Sequence, residues 1–319
     1  MASLSITSWR KHISALNNFE TFEKNSKNPH PWPLSKESVQ EYTSWALSHE
    51  KLKPSTVKSY LSSMAFAHKM KDMDSSNCHN FKVKAMLRGA ENLEFYTTPK
   101  GVDRRVMTYP LLKILGHQVA KSEWSENSKQ VVWTTMLTAF FDSFRLGELL
   151  GSKEGSYNPS ETFLWEDVVF KNDSVIIKIK IPKSRNPRGE CVDLFELKQA
   201  NYCPVTALRR LKQLTGSKAR ATSPVFTFES GKILTPCSLN TTLFGLLQPV
   251  IGQAACQITG HSFRAALPSA LANRPDIACD EDIKLWGRWD SDAFRRYTRL
   301  KPNQKRAVFF KIVFSLESL

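Results

Sequence analysis

Arginine, lysine, histidine and tyrosine recur along this chain at spacings suited to work on a phosphate. The string FRLGELL sets Arg145 three residues ahead of Glu148 at a helix start, where the carboxylate can fix the guanidinium or support the backbone turn. IKIKIPKSRNPR gathers Lys178, Lys180, Lys183, Arg185 and Arg188, with no acidic neighbour in sequence, toward the tip of a hairpin. An ammonium at Lys183 could reach a phosphate oxygen there and donate a proton, its pKa lowered by the surrounding cations. TGHSFRAALPSALA spaces His261 and Arg264 three apart on a helix beginning near Ser262, so that both can point at one anion. IKLWGRWDSDAFRRYTRL ends on Tyr297, a possible nucleophile, on a short helix after a break at Gly287 and among Arg295, Arg296 and Arg299.

Each string also has a plain structural reading. Arg145 with Glu148 is an ordinary helical ion pair, the lysines guard an edge strand, His261 with Arg264 supports packing, and Tyr297 is a half-buried packing residue. Other chemistries fit less well. Ser262 lacks a Gly-x-Ser-x-Gly elbow, and Cys256 with His261 lacks a second pair of zinc ligands. Asp280, Glu281 and Asp282 read as the N-terminal charge of a helix rather than a metal site.

These residues need elements to hold them. From Ser8 to about Leu93 apolar residues recur at helical spacing (Trp9, Ile13, Leu16, Phe19; Val39, Tyr42, Trp45; Val57, Tyr60, Leu61, Met64; Val83, Met86, Leu87), which predicts four or five short helices. Ser35 is the expected N-cap of one, and Ser55, after Pro54, opens another. TTPKGVDRRVMT, residues 97–108, has the composition of a linker, so a helical domain over 1–96 is expected to precede a second domain over 109–319. In the second, helices over 109–119 and 129–141 lead into an alternating, β-branched run with a turn at Asn172-Asp173, which predicts an antiparallel sheet of about three strands; helical patterning returns from Cys203 to Leu319. The fold class expected is mainly α, with one small inserted antiparallel sheet.

Composition agrees with a nucleic-acid partner. The 319 residues hold 45 Lys and Arg against 30 Asp and Glu, a net charge of +15 shared by both parts. Such an excess favours a long polyanion, because each neutralised phosphate releases counterions. Six dispersed cysteines with no Cys-x-x-Cys pair suggest neither a zinc module nor a disulfide framework. The start, MASLSITSWRKH, lacks the apolar run of a signal peptide, and no stretch of about 18 apolar residues occurs. The expectation is an intracellular, soluble protein with no membrane partner.

Taken in chain order, Arg145 with Glu148, Lys183 on a hairpin, His261-x-x-Arg264, then Trp289 and Tyr297 resembles the tyrosine recombinase and integrase family over essentially the whole length. The stretch GRW-x-SDAF-x-RY is most similar to recombinases of Crypton and DIRS-type mobile elements. Three features depart from the family pattern. Tyr297 follows Trp289 by eight residues where nine is usual, Ser143 stands where a glycine often precedes the first arginine, and Pro268 interrupts the His-Arg helix. The resemblance implies a helical core-binding domain joined to a catalytic domain, the two closing on double-stranded DNA. It implies strand cutting through a 3′-phosphotyrosyl intermediate for transposition or for integration and excision, without metal, ATP or other cofactor. Arg145, Lys183, His261, Arg264, Trp289 and Tyr297 would be catalytic and Glu148 supporting, while Lys178, Lys180, Arg185, Arg188 and Arg288 would contact DNA. It also implies self-association as a tetramer on DNA, with the amphipathic run RAVFFKIVFSLESL docking on a neighbour, and a nuclear location in a eukaryotic host. Relaxation of the type IB topoisomerase kind, and a domesticated relative that only binds DNA, are the alternatives.

Overall fold

The computed structural model describes residues 6–97, 105–180, 190–274, 276–289 and 291–296, and the chain divides into two compact units, Met1–Gly101 and Val102–Leu319. Lys183, Arg185, Arg188, Tyr297 and the run over 306–319 lie outside the described residues.

The first unit is helical: α1 (Ile6–Asn25), α2 (Lys36–Ser48), α3 (Pro54–Met70) and α4 (Phe81–Thr97), with a 3₁₀ turn over Ser76–His79. Ser35 caps α2 by accepting from the Ser38 backbone N–H at 3.0 Å. At α3 the expected cap is displaced: Lys53 holds the cap position without a side-chain bond, and Pro54 enters the first turn, where its missing N–H costs nothing. Phe19, Phe22, Leu34, Val39, Tyr42, Val57, Leu61, Met64 and Val83 form the core. His68 sits within it, donating from Nδ1 to the Met64 carbonyl (2.8 Å) and accepting from the Leu34 N–H at Nε2 (3.0 Å), the roles of a structural histidine.

The second unit begins with a tether. Arg105 N–H donates to the Gln257 carbonyl and Met107 N–H to that of Ser262, and Met107 is fully buried, so the end of the expected linker is part of this unit. Then come α5 (Tyr109–Lys121), α6 (Glu126–Phe141) and α7 (Leu146–Leu149). Thr108 and Ser125 cap α5 and α6. Helix α6 is buried nearly all round, from Val131 and Val132 through Thr134 to Phe140, as a central core helix must be.

Three antiparallel strands follow, β1 (Val168–Phe170), β2 (Ser174–Ile179) and β3 (Glu190–Phe195), in the order β1-β2-β3, with Lys178 opposite Cys191 and Ile179 opposite Glu190. Val175, Ile177, Val192 and Leu194 face the core in the two-residue alternation of a sheet with one buried side. Helices α8 (Pro204–Thr215), α9 (Pro236–Ile251), α10 (Gly260–Arg264), α11 (Ala266–Ala272) and α12 (Asp280–Gly287) complete the unit, with a 3₁₀ turn over Asp292–Arg296. The mainly helical fold with one small antiparallel sheet is therefore as expected. Pro268 has no N–H for the Arg264 carbonyl, and the helix is divided at Ala265 into α10 and α11. No described helix is long and apolar enough to cross a membrane.

Candidate active site

Three segments far apart in sequence meet in the second unit: residues 141–148, 260–264 and 286–289. Arg145 stands at the N-cap of α7, and Glu148 holds it twice, accepting from its backbone N–H (Oε2, 2.9 Å) and from its guanidinium (Oε1, 2.8 Å). Both uses expected of that carboxylate occur together. The Glu148 side chain is 5% exposed and that of Arg145 25%, so the carboxylate lies beneath and the guanidinium keeps a face to solvent.

Arg288 approaches the same carboxylate from the far end of the unit. It caps α12 in the left-handed region (φ +55°), donates from Nη2 to Glu148 Oε2 at 3.0 Å, and lies with its guanidinium over the Phe144 ring at 4.6 Å. Its Nη1 is 3.8 Å from Asp142 Oδ2. Burial pushes the Asp142 carboxyl up to about 7, against the pull of Arg288 and Arg264 and with the help of Glu190 and Glu148.

Arg264, on α10, is 1% exposed and donates from its two terminal nitrogens to the Ser143 and Gly287 carbonyls, joining the other two segments. Trp289 lies against it, the indole 4.3 Å from the guanidinium carbon, in cation–π contact. Glycines permit this approach. A Cβ on Gly287 would collide with the Trp289 ring, and one on Gly260 with the Leu146 side chain, so α10 and α7 touch beside His261 and Arg145. Ser143 has φ +50°, a conformation that favours glycine, which is the physical reason a glycine suits that position. Trp286 adds a bond from Nε1 to the Phe141 carbonyl at 3.0 Å.

The expected residues divide into several groups. His261 is exposed while Arg264 is buried, so the pair does not present two side chains to one anion from a common exposed face. Both stand on α10, His261 on the side toward solvent and Arg264 in the seam between segments. Arg288, expected on DNA, is instead engaged with Glu148 and Asp142, its side chain 9% exposed. Lys180, expected on DNA, pairs with Asp167 at 2.8 Å and Glu166 at 3.2 Å and donates to the Pro159 carbonyl. Those partners precede it by 13 residues or more, beyond what the local charge pattern reveals. Lys178 is exposed on β2. Asp142 went unread in the sequence; its one signal is a carboxylate just ahead of the Ser-Phe-Arg string. The acidic run over 280–282 does serve the N-terminus of α12, where Asp282 accepts from the Cys279 N–H at 2.8 Å.

Three comparisons bear on this arrangement. No protein-family model matches the sequence, and no curated protein matches it either. Among solved structures, the Tn1549 transposon integrase in complex with transposon right end DNA is similar over 98% of this chain and 95% of that one, at 10% identity and a TM-score of 0.61. The XerH site-specific recombinase bound to palindromic difH substrate, a post-cleavage complex, is similar over 95% and 79%, at 15% identity and a TM-score of 0.60. A lambda integrase dimer bound to a COC′ core site is similar over 93% and 73%, at 12% identity and a TM-score of 0.55. The fold is that of the tyrosine recombinases. Within this tyrosine recombinase fold the arginine seam lies between α6, α7, α10 and the end of α12. The residue nine positions before Tyr297 is Arg288, and it is Arg288, rather than Trp289, that meets Glu148.

Proposed function

We propose that this chain is a tyrosine recombinase that cuts and rejoins DNA strands, with Tyr297 as nucleophile. The observation that carries the reading is a chain of contacts that reaches from the Arg145 segment to Phe294. Phe294, three residues ahead of Tyr297, is 2% exposed and packs on the Trp289 ring (6.2 Å), which lies on Arg264, which binds the segment carrying Arg145. A tyrosine needed only for packing calls for no such chain of contacts back to a partly exposed, carboxylate-held arginine.

In this reading the Tyr297 oxygen attacks a backbone phosphorus and passes its proton to His261. A 3′-phosphotyrosyl bond forms, the bond to the 5′-oxygen breaks, and Lys183 supplies the proton that leaves with the 5′-hydroxyl. The unperturbed phenol, with a pKa of about 10, is neutral near pH 7 and needs that base. The pentacoordinate state gathers negative charge on its non-bridging oxygens, which the forked donor of Arg145 suits, while the buried Arg264 adds its positive charge from within the seam. Arg264 has five N–H groups, and its two carbonyl bonds hold the fork in place behind Arg145. Trp289 fixes that guanidinium and packs the run toward Tyr297. Because the covalent bond keeps the phosphodiester energy, a second 5′-hydroxyl can reverse the step, and neither metal nor ATP is required.

The first unit serves as a core-binding domain on duplex DNA and Lys178, Arg185 and Arg188 bind phosphates, a reading supported by the basic charge of both parts. Use in moving a mobile element is supported by the GRW-x-SDAF-x-RY string and by the likeness to a transposon integrase. Assembly as a tetramer through the run over 306–319 is in keeping with the similar lambda integrase, solved as a tetramer on a Holliday junction. The test is to incubate the protein with a pool of nicked duplexes of randomised sequence and separate the products on a denaturing gel. A protein–DNA adduct is expected from the wild type and not from Tyr297→Phe; an equal adduct from both would refute the assignment.

A further inference from the structure

We propose that Arg288 is a positioning residue of the strand-cutting site, acting through Glu148 to set Arg145 and through Asp142 to bind the chain leading to Tyr297 to the end of α6. The proposal rests on the reading of the chain as a tyrosine recombinase and adds to it a residue first expected on the DNA surface.

Geometry places Arg288 behind the site. Its side chain is 9% exposed against 25% for Arg145, and the two guanidiniums share one carboxylate: Arg145 Nη1 on Oε1 at 2.8 Å, Arg288 Nη2 on Oε2 at 3.0 Å. Oε2 also accepts from the Arg145 backbone N–H, so the oxygen that Arg288 grips fixes the turn on which Arg145 stands. A carboxylate held by a single flexible arginine could rotate; one held from two directions and 5% exposed has one orientation left.

The second half of the contact faces Asp142. Arg288 Nε and Nη1 and Asp142 Oδ2 are buried without a hydrogen bond among the described residues, with Nη1 and Oδ2 3.8 Å apart. An arginine with two buried, unbonded nitrogens beside an unbonded buried carboxylate oxygen is an incomplete fork, one short movement from closing. Closing it draws Arg288, and with it the adjoining Trp289, toward the start of the Arg145 segment. Packing of the guanidinium on Phe144 at 4.6 Å, between Asp142 and Arg145 in sequence, holds that approach in line.

Lysine at this position keeps a charge yet lacks the planar fork needed to reach both carboxylates. Methionine keeps much of the volume and removes the charge, and loss of a buried ion pair to an apolar residue is compatible with folding. The experiment compares wild type, Arg288→Met and Arg288→Lys in single-turnover adduct formation on one nicked duplex recovered from the randomised pool, over a range of DNA concentrations. In parallel, labelling of Arg145 by phenylglyoxal is followed by peptide mass spectrometry without DNA. The expected result for Arg288→Met is a maximal rate lower by on the order of 100-fold, a half-saturating DNA concentration within about twofold of wild type, and faster labelling of Arg145, with Arg288→Lys between the two. A rate within twofold of wild type, or a loss confined to the half-saturating concentration, with Arg145 labelling unchanged, overturns the proposal. Absence of any wild-type adduct counts against strand cutting itself, and the labelling then decides by itself whether Arg288 sets Arg145.

Discussion

In the seam, Arg264 and Arg288 are buried and directed inward, toward the Ser143 and Gly287 carbonyls and toward Glu148 and Asp142. On the sheet, Lys178 points to solvent from β2, and two residues on, Lys180 turns back to Asp167 and Glu166. Both regions read in sequence as strings of positive charge, yet one builds the walls of a site and the other divides its charge between surface and interior. Guanidinium suits the seam because one planar group can join two carbonyls from different segments. Ammonium suits the strand because one compact head with three donors serves Asp167, Glu166 and the Pro159 carbonyl together. Net charge therefore measures the attraction for a polyanion only after the cations engaged within the protein are set aside.

The sharpest way to break this comparison is to remove the central staple. Arg264→Ala is expected to cost the second unit about 3–5 kcal/mol, since two buried carbonyls and the Trp289 face lose their partner at once. Urea unfolding followed by near-ultraviolet circular dichroism checks this, and a cost typical of a surface arginine would show the seam to be incidental.

A middle-sized effect concerns Asp142, whose folded carboxyl titrates at about 7, above its ordinary 3.8. A carboxyl raised in the folded state binds its proton more tightly there than in the unfolded chain. The stability it lends is complete below about pH 4 and declines as the pH rises to about 7. Asp142→Asn resembles the protonated form, so it should be about 2 kcal/mol more stable than wild type at pH 8, with the gap closing toward pH 4. Melting curves at the two pH values measure it; a variant less stable than wild type at pH 8 would reverse the sign.

The smallest effects separate the two lysines. Lys180→Ala leaves Asp167, 3% exposed, without its closest cation, at a cost of about 1–2 kcal/mol and with little change in affinity for duplex DNA. Lys178→Ala should leave stability unchanged and lower the slope of log affinity against log salt by about 1. Fluorescence anisotropy with a labelled duplex at several salt concentrations distinguishes them, and exchanged outcomes would invert the assignment.

Helices and strands were legible because their signals are local. Ser35 and its capped helix, the alternation of β2 and β3, and the turn at Asn172-Asp173 each rest on neighbours a few residues apart. The candidate site was legible as a set of residue types, since Arg145 with Glu148 is itself a local pair. What the sequence concealed depends on contacts across about 140 residues, such as Arg288 with Glu148. A three-residue interval puts His261 and Arg264 on neighbouring positions of α10, yet the segments packed on that helix bury Arg264 and leave His261 exposed. That packing comes from distant segments, so only the folded chain shows which side chain turns inward. Ser143 is the converse case: its departure from glycine marked a left-handed position that the structure does contain.

The central claim is that Tyr297 becomes covalently joined to DNA. The most direct measurement is peptide mass spectrometry of the adduct after nuclease and protease digestion. The account predicts a nucleotide 3′-phosphate on the peptide carrying Tyr297, with a free 5′-hydroxyl on the released strand. A nucleotide on another residue, or a 5′-phosphate on the linked strand, would contradict it.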